Sequence, residues 1–560
     1  MSNEARKPFE QRFDSLKAEA NTWLPTWKEI KKFIAPTRGS FDDMPNQGDK
    51  INHQVIIDNT AQRACKTFAS GMQSGLTSPA RPWFRLRVAD AELMKLQSVK
   101  DWCAEVERRI YTVLSSSNIY EVLYNIYEEL ASFGTASAII LRDYKTVVRG
   151  LNFTIGEYYL GVGADNRVNS WAREFHMTAA QLIKEFGEEN VSEPVKKAFK
   201  TNKPDTWFRV RHLVEPNDER IPDRKDFMNM EYRSVYWEPD CSDIAFLAQR
   251  GFENFNILGP RYGQSKSTDS YGKDSPGWNS LGNTKMLQLL HKDFLLALGK
   301  VIKPPLQQDA TVQGQINDLP GGITHTSGTL PNAGVAPLYQ INPDLGKMSE
   351  KIQDTRNQIK EDFYTDLFLM MTMTDRREIS ATEVVERHEE KLLMLGPLLI
   401  KLQSELLDRL IDIMFAILLD VGMIPEAPEE MQGQELRVEY VSVLAQAQKS
   451  VATTAMEQVA AMIGNLSAVV PEVMDKLNAD NFVDQYGDFV GAPVGIIRDQ
   501  AEVEQIRENR ARAQEAAAQA QDAAATVQGA KVLSDTKVGQ DSALDAILGG
   551  IGAPQGGAIV

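Results

Sequence analysis

The chain has 560 residues and only three cysteines, which excludes several classes of protein. Cys65, Cys103 and Cys241 are far apart and odd in number, so they form neither a disulfide framework nor a CxxC zinc site. We therefore expect a protein of a reducing compartment. Residues 1–14 mix charges of both signs and lack the apolar core of a signal peptide, so we also expect no export signal.

The sequence lacks an apolar run that is long and uncharged enough to cross a bilayer. The most apolar window, 392–419, still contains five charged side chains: Lys401, Glu405, Asp408, Arg409 and Asp412. A charge at the bilayer centre costs about 2.5–3.5 kcal/mol on insertion scales. We therefore expect no membrane span.

Basic residues are outnumbered by acidic ones. The 61 Lys and Arg against 77 Asp and Glu give a formal net charge of −16. Affinity for nucleic acid is carried by Lys and Arg that displace counterions, so any contact with DNA is expected to be loose. The excess of acidic residues is concentrated near the C-terminus. Residues 420–560 contain 21 acidic and 9 basic residues, a net charge of −12, so the first 419 residues carry only −4.

Motifs of common catalytic centres are also missing. The sequence contains no Gly-x-x-x-x-Gly-Lys-Ser/Thr phosphate loop, no His-Glu-x-x-His metal motif and no Gly-x-Ser-x-Gly nucleophile elbow. Its six histidines are scattered without metal-ligand spacing. The sequence therefore predicts no enzyme, no cofactor and no metal.

The residues that are present predict a folded chain of two different halves. Hydrophobic residues make up 42% and charged residues 25% of the chain, which is typical of globular proteins. In the first half, periodicity predicts both helices and strands. Helices are predicted over 1–35, 54–76, 98–116, 118–132 and 178–186, strands over 83–88, 138–141 and 158–162, and an exposed loop rich in Gly, Ser and Pro over 251–282.

The second half predicts two long helices around an insert of different character. An apolar stripe runs from Met286 to Val301 and ends at Pro304-Pro305, where a helix must stop. Residues 303–345 have frequent Pro and Gly and no helical period, and 346–372 predicts a second helix of about 40 Å. The two helices are expected to pair antiparallel, with the insert as a tip.

Helical patterns continue towards the C-terminus. Residues 381–422 carry a leucine and isoleucine seam with a kink or break expected at Gly396-Pro397. The polar segment Thr372 to Ser380 is read either as a plain helix connection or as a loop projected into a shared cavity, and Ser380 to Glu383 fits a capping box. Residues 511–530 contain 10 alanines, which favours helix.

Five short segments, in order over about 55–500, resemble the portal, or head-to-tail connector, proteins of short-tailed tailed bacteriophages. They are Asp58-Asn59-Thr60-Ala61 with Gly71 to Pro79 and Trp83-Phe84-Arg85-Leu86; Arg173 to Thr178 with Gln181-Leu182 and Phe186-Gly187; Tyr271-Gly272 with Ser275-Pro276; Ala381-Thr382-Glu383-Val384 with Glu386-Arg387; and Val441 to Lys449. One departure is the loop from Tyr262 to Pro276, which is longer than the simple Tyr-Gly-x-Ser-Pro of the family.

The resemblance implies a mixed α+β, mainly helical, portal-type fold with wing, stem, clip and crown, assembled as a ring of twelve subunits around a DNA channel. It maps the chain into a wing 1–282, stem helix one 283–302, clip 303–345, stem helix two 346–372, tunnel loop 373–380, a long kinked helix 381–422, a crown 423–510, and an Ala-rich helix with a flexible tail 511–560.

The resemblance also implies partners and a location. The partners are other copies of the chain, the major capsid protein, the terminase large subunit during packaging, tail adaptor and nozzle proteins, scaffolding protein, and double-stranded DNA that passes without sequence specificity. The location is the portal vertex of the virion, after assembly in the host cytoplasm. Candidate tunnel-loop DNA contacts are Thr374, Asp375, Arg376, Arg377 and Glu378, and the candidate clip docking surface is Gln307, Gln308, Asp309, Gln313, Asn317 and Asp318.

A conduit for DNA must guide the duplex without trapping it, and an acidic wall avoids the drag of many phosphate contacts. Three other functions stay open on the sequence: another ring or internal ejection protein of the virion, a membrane pore, and a nuclease. Charges in the window 392–419 disfavour the pore, and the absence of a metal-binding carboxylate cluster disfavours the nuclease.

Overall fold

The computed structural model places the chain in two compact units, residues 1–451 and 452–560. It contains helices and sheets and is mainly helical, as predicted. The sheets are antiparallel. The residues that the structure describes are 2–41, 55–90, 93–221, 224, 226–304, 306–308, 335–337, 343–373, 395–431, 433–434, 436–441, 456–466, 476–490, 498, 500–535, 537–538 and 541–542.

Helices and a strand pair build the first part of the first unit. The predicted helices are confirmed as α1 (Ser2–Phe33), α2 (Thr60–Leu76), α3 (Gln97–Ser116) and α4 (Ile119–Phe133), although α2 begins six residues later than the periodicity indicates. The predicted strand at 83–88 is β1 (Phe84–Val88), whose alternate residues are buried. Its partner is distant in sequence, because it pairs antiparallel with β12 (Leu436–Tyr440).

Two antiparallel sheets follow α4. One joins the strands over 147–153, 137–143 and 257–258 in that order, and the other joins those over 158–162, 168–178, 207–216, 232–237 and 248–252. Helix α5 (Ala179–Phe186) starts in the predicted place because Thr178 and Gln181 form a reciprocal capping box, and α6 (Glu193–Lys200) follows. The strands are β2 (Ser137–Asp143), β3 (Val147–Phe153), β4 (Tyr158–Val162), β5 (Val168–Thr178), β6 (Trp207–Pro216), β7 (Tyr232–Trp237), β8 (Ala248–Phe252) and β9 (Ile257–Leu258).

The exposed loop predicted over 251–282 is wrong. Arg261 and Tyr271 are fully buried there, and the Tyr271 hydroxyl accepts a hydrogen bond from Leu160 N. Gly272 packs so closely on the backbone of Gly134 that a Cβ on it would lie 1.9 Å from that carbonyl oxygen. The glycine and serine content of this segment therefore serves close packing and helix capping rather than exposure.

The predicted pair of helices around an insert is confirmed. Helix α7 (Pro276–Ile302) begins seven residues before the predicted start at 283, because Ser275 caps it and Pro276 occupies the first turn. It packs on α8 (Leu345–Asp362), and the two run antiparallel, since Asn283 bonds to Asp362 and His291 to Arg356. Between them, β10 (Leu306–Gln308) pairs antiparallel with β11 (Val335–Pro337).

The second helix of the pair is not continuous to 372 as predicted. It breaks after α8 at Tyr364, whose φ is +52°, and restarts as α9 (Thr365–Met373). The Tyr364 side chain is hydrogen-bonded to Tyr262, and Phe368 packs edge-on against Phe68 of α2. Contacts with distant residues therefore hold a break that helical periodicity does not reveal.

The seam predicted in 381–422 is confirmed over the described residues 395–420. The helix runs through Gly396–Leu402, a π-helical turn Gln403–Leu407, and Asp408–Asp420. Pro397 lies in the first turn, where its missing N–H leaves no helical bond broken. All seven seam positions are buried: Leu395, Leu399, Leu402, Leu406, Leu410, Ile413 and Ile417.

The described residues of the second unit form helices and one short strand pair. Residues 456–466 are helical, and they are followed by Ala479–Val490 and by Gln500–Asp535, which contains the predicted Ala-rich helix. Arg507 donates to both carboxylate oxygens of Asp480 at 2.7 Å. The predicted crown starts at 423, whereas the units divide between Val451 and Ala452. The predicted disordered end, Gly549 to Val560, lies outside the described residues.

Gly71 of α2 is a position where a single methyl group tests the packing of α9. A Cβ on Gly71 would lie 2.1 Å from Phe368 Cδ1, and Phe368 is buried. We expect Gly71→Ala to lower the free energy of unfolding by about 1–3 kcal/mol through overpacking. The matched control is Gly282→Ala in α7, where nothing lies within 4 Å of the added atom, so it should be neutral or stabilise by about 1 kcal/mol. Calorimetry of both variants checks this, and equal effects would contradict the close contact.

Candidate functional site at the helical pair

The structure describes two of the predicted site residues. Gln307 and Gln308 lie in β10, opposite Ala336 and Val335 of β11, so the start of the predicted clip is a strand pair. The remaining candidates lie outside the described residues: Asp309, Gln313, Asn317 and Asp318 of the predicted clip, and Thr374, Asp375, Arg376, Arg377 and Glu378 of the predicted tunnel loop.

The helix that leads to the predicted tunnel loop is anchored on α2. In α9, Leu367 and Phe368 are buried, and Phe368 fills the space that Gly71 leaves open. Its ring centroid lies 5.5 Å from that of Phe68. These contacts fix α9 against α2.

Asp58, just before α2, is the centre of a polar cluster with both helices of the pair. Its side chain is only 4% exposed. Arg356 of α8 donates to Asp58 Oδ2 from Nε at 2.9 Å and lies 2.8 Å away through Nη2. His291 Nε2 of α7 lies 3.0 Å from the same oxygen and 3.1 Å from Arg356 Nη2. One carboxylate therefore joins three elements of the fold.

The backbone at Asp58 is held as firmly as its side chain. Gln288 Oε1 accepts hydrogen bonds from Ile57 N at 2.8 Å and Asp58 N at 2.9 Å, and Gln288 Nε2 donates to Asp58 O at 2.8 Å. Asp58 Oδ1 accepts from Thr60 N at 2.8 Å, in the first turn of α2. This arrangement satisfies an amide group that the helix itself leaves without a partner.

The electrostatics of the cluster favour an ionised Asp58. Burial raises its pKa, but hydrogen bonds from Thr60 and Arg356 and the charge of Arg356 outweigh burial, so the pKa lies below its ordinary value. The folded state therefore binds this proton less readily than the unfolded state. The resulting stability is present above the unfolded pKa and is lost as the pH falls through the folded value.

A groove with a cavity volume of about 850 Å³ opens beside this cluster, between α2, α8 and α9. Within the described part of the chain, the side chains of Arg63 and Lys360 make no ion pair or hydrogen bond across it. No described residue forms a hydrogen bond with the buried Thr365 hydroxyl. We call this surface the cationic groove and define it by six lining residues: Ile57, Arg63, Arg356, Lys360, Thr365 and Leu369.

A second buried ion pair ties the helix over 396–420 to the body. Arg261 is 1% exposed, and its Nη2 lies 2.6 Å from Glu405 Oε1, while Nε and the backbone N donate to Glu405 Oε2. Asp269 O accepts a hydrogen bond from Arg261 Nη1, and Asn166 O accepts one from Nη2. Burial also lowers the pKa of neighbouring Lys401 to about 8. Glu405 lies in the π-helical turn, so that irregularity places the carboxylate at Arg261.

Two kinds of site are not found in the described residues. No group of three His, Cys, Asp or Glu side chains there is arranged to hold a metal ion. Nor is any described helix sufficiently long and apolar for a membrane crossing. The Asp58 and Arg261 clusters are ion pairs that join different elements of the fold.

Sequence reasoning missed the partners of Asp58. Asp58 belongs to a segment that resembles portal proteins, yet Arg356 is 298 residues away and Gln288 is 230 residues away. Neither spacing nor periodicity links them. The one available signal was that Arg356 interrupts a helix face otherwise followed by apolar residues.

The chain is similar to known phage proteins over almost its full length. Residues 6–497 match the family described as "Bacteriophage head to tail connecting protein". The "Probable portal protein" of Bordetella phage BPP-1 is 40% identical over 514 residues, 91% of this chain and 92% of that protein. The "Portal protein" of Salmonella phage epsilon15 is 37% identical over 541 residues, 96% of this chain and 97% of that protein.

A solved structure of the neck of an empty gene transfer agent particle also matches. It is 12% identical and covers 78% of this chain and 90% of that chain, with a TM-score of 0.38. Similarity at this level carries no argument about function.

The ion pair at Asp58 is tested by Arg356→Met, which keeps the length of the side chain and removes its charge. Because Asp58 is left buried without the positive charge of Arg356, we expect the free energy of unfolding at pH 7 to fall by about 3 kcal/mol. The effect should shrink towards pH 3, where Asp58 of the variant is protonated. Denaturant unfolding at both pH values measures this. Lys351→Met, at an exposed position of α8, is the control and should change little. An equal loss at both pH values would contradict the assigned charge state.

Proposed function

Because this chain belongs to the family of bacteriophage head-to-tail connecting proteins and has the portal role at the head–tail junction of the virion, we propose that its copies assemble as a ring around a DNA passage. The observation that carries the proposal is the match to two portal proteins over more than nine-tenths of the chain. We further propose that the ring has twelve subunits and that each subunit has wing, stem, clip and crown regions.

The helical pair supports the assignment of stem and clip. Helix α7 is 27 residues long, about 40 Å, and α8 returns beside it, so the insert lies at one end of the pair. The strand pair β10–β11 begins that insert with Gln307 and Gln308. We assign this end to docking of the terminase large subunit during packaging, and afterwards to the tail adaptor and nozzle proteins.

Other partners contact other parts of the chain in this proposal. The wing faces the major capsid protein and, during assembly, the scaffolding protein. Double-stranded DNA passes through the ring without sequence specificity. The chain carries −16 in each copy, which disfavours strong retention of DNA phosphates.

The role is structural, and we propose that the protein has no enzymatic activity of its own. Packaging work is then done by the docked terminase. Another ring or internal ejection protein of the head–tail junction is the remaining candidate function. The near-complete coverage of the two portal proteins favours the portal over that alternative.

Negative-stain images of the purified protein test the ring directly. We expect closed rings with a central hole, because a head-to-tail contact that closes gives a cyclic assembly. A compact monomer at every protein concentration would contradict the proposal. Tail-tube-like stacks without a single closed ring would favour the alternative virion protein.

The predicted tunnel loop is tested by reversing its two positive charges together, Arg376→Glu with Arg377→Glu. We expect slower packaging or poorer DNA retention, because the loop loses its few attractive contacts with phosphate. The control is Arg376→Lys with Arg377→Lys, which keeps both charges and should stay near wild type. Unchanged packaging rate and retention in the reversed variant would show that the loop has another role.

A further inference from the structure

We propose that the cationic groove of one copy binds a stripe on α7 of the next copy, with Asp293 of that stripe as the anion that enters the groove. The proposal rests on the proposed ring and names the contact that closes it. The stripe, called the α7 stripe, consists of Leu289, Asp293 and Leu296.

The cationic groove has the chemistry of an incomplete protein interface. Arg63 and Lys360 have no side-chain partner in the described part of the chain, and one charge of Asp58 already balances Arg356. A carboxylate from another molecule would satisfy the two cations together.

The rim of the groove indicates which anion fits. Ile57 is 47% exposed and Leu369 is 44% exposed, although both are large and apolar. A DNA phosphate brings no apolar group to cover them, whereas an acidic side chain flanked by apolar residues does. The groove therefore favours protein over nucleic acid.

The α7 stripe has the complementary pattern. Leu289, Asp293 and Leu296 are spaced by four and three residues, so they lie on one face of the helix. Leu289 is 58% exposed and Leu296 is 54% exposed. Asp293 is exposed between them and makes no ion pair or hydrogen bond in the described part of the chain. Leucine, aspartate and leucine match the apolar rim and cationic centre of the groove.

The positions of the two surfaces fit a ring rather than a symmetric dimer. His291 faces Asp58 beside the groove, and Asp293 is two residues on, which is about 160° around the helix. The α7 stripe and the groove thus lie on opposite sides of the helical pair within one copy. A contact between unlike surfaces is head-to-tail, and repeated head-to-tail contacts close into rings.

Charge exchange tests the contact. Asp293→Lys alone and Lys360→Glu alone should each raise the protein concentration for half-maximal ring assembly by about tenfold or more, because each places like charges together. The double variant, Asp293→Lys with Lys360→Glu, should recover assembly. Matched controls are Lys351→Glu, two and a half turns before Lys360 and on the opposite face of α8, and Asp354→Lys, both at exposed positions. Sedimentation velocity measures assembly, and circular dichroism checks that each variant is folded.

Cysteine pairing gives an independent readout where a charge variant fails to fold. A chain carrying both Asp293→Cys and Lys360→Cys should form a ladder of disulfide-linked oligomers on oxidation. Each single variant, and Asp293→Cys with Lys351→Cys, should not. Cys65 and Cys103 are buried, so the main background is Cys241, which the parent chain controls.

The outcomes separate this inference from the proposed function. If the parent protein forms no ring, the proposed function fails. If rings form and neither single charge variant weakens them, the α7 contact is wrong while the ring stands. If Lys360→Glu rings assemble normally but lose retained DNA, the groove binds phosphate instead, which also overturns the proposal.

Discussion

The ion pair between buried Asp58 and Arg356 is the interaction on which the placement of the helical pair depends. Asp58 precedes α2, Arg356 lies on α8, and His291 and Gln288 bring in α7. A buried carboxylate in this position is stable only while its partners stay in place. The helical pair and α2 are therefore expected to move as one piece.

In the interior of this acidic chain, the charged side chains of two clusters are paired, whereas the excess of acidic residues is concentrated in one part of the sequence. Arg261 and Glu405 fix the helix over 396–420 to the body in the same way that Arg356 and Asp58 fix the helical pair. Both pairs receive additional hydrogen bonds, which is what makes burial of charge tolerable. The net negative charge belongs mainly to residues 420–560, outside both buried pairs.

Sequence periodicity predicted the helices and strands whose pattern is contained in the segment itself. It failed where contacts with residues distant in sequence determine the conformation. The apolar stripe of α7, the seam of 395–417 and the alternation of β1 followed from the sequence alone. The break at Tyr364 did not, because the contacts that accompany it, Tyr262 with Tyr364 and Gly71 with Phe368, involve residues far apart in the chain. The Gly-rich segment near Tyr271 was misread because glycine permits both turns and close packing. The Asp58 cluster could not be predicted, because it forms only when three elements of the fold come into contact and no sequence motif marks it.

The account is tested most directly by a cryo-electron microscopy map of the assembled protein. It predicts a closed ring in which every copy has α7 and α8 side by side, with Asp58 within hydrogen-bond distance of Arg356 and His291. A ring in which the helical pair is detached from α2, or an assembly without a closed ring, would contradict it.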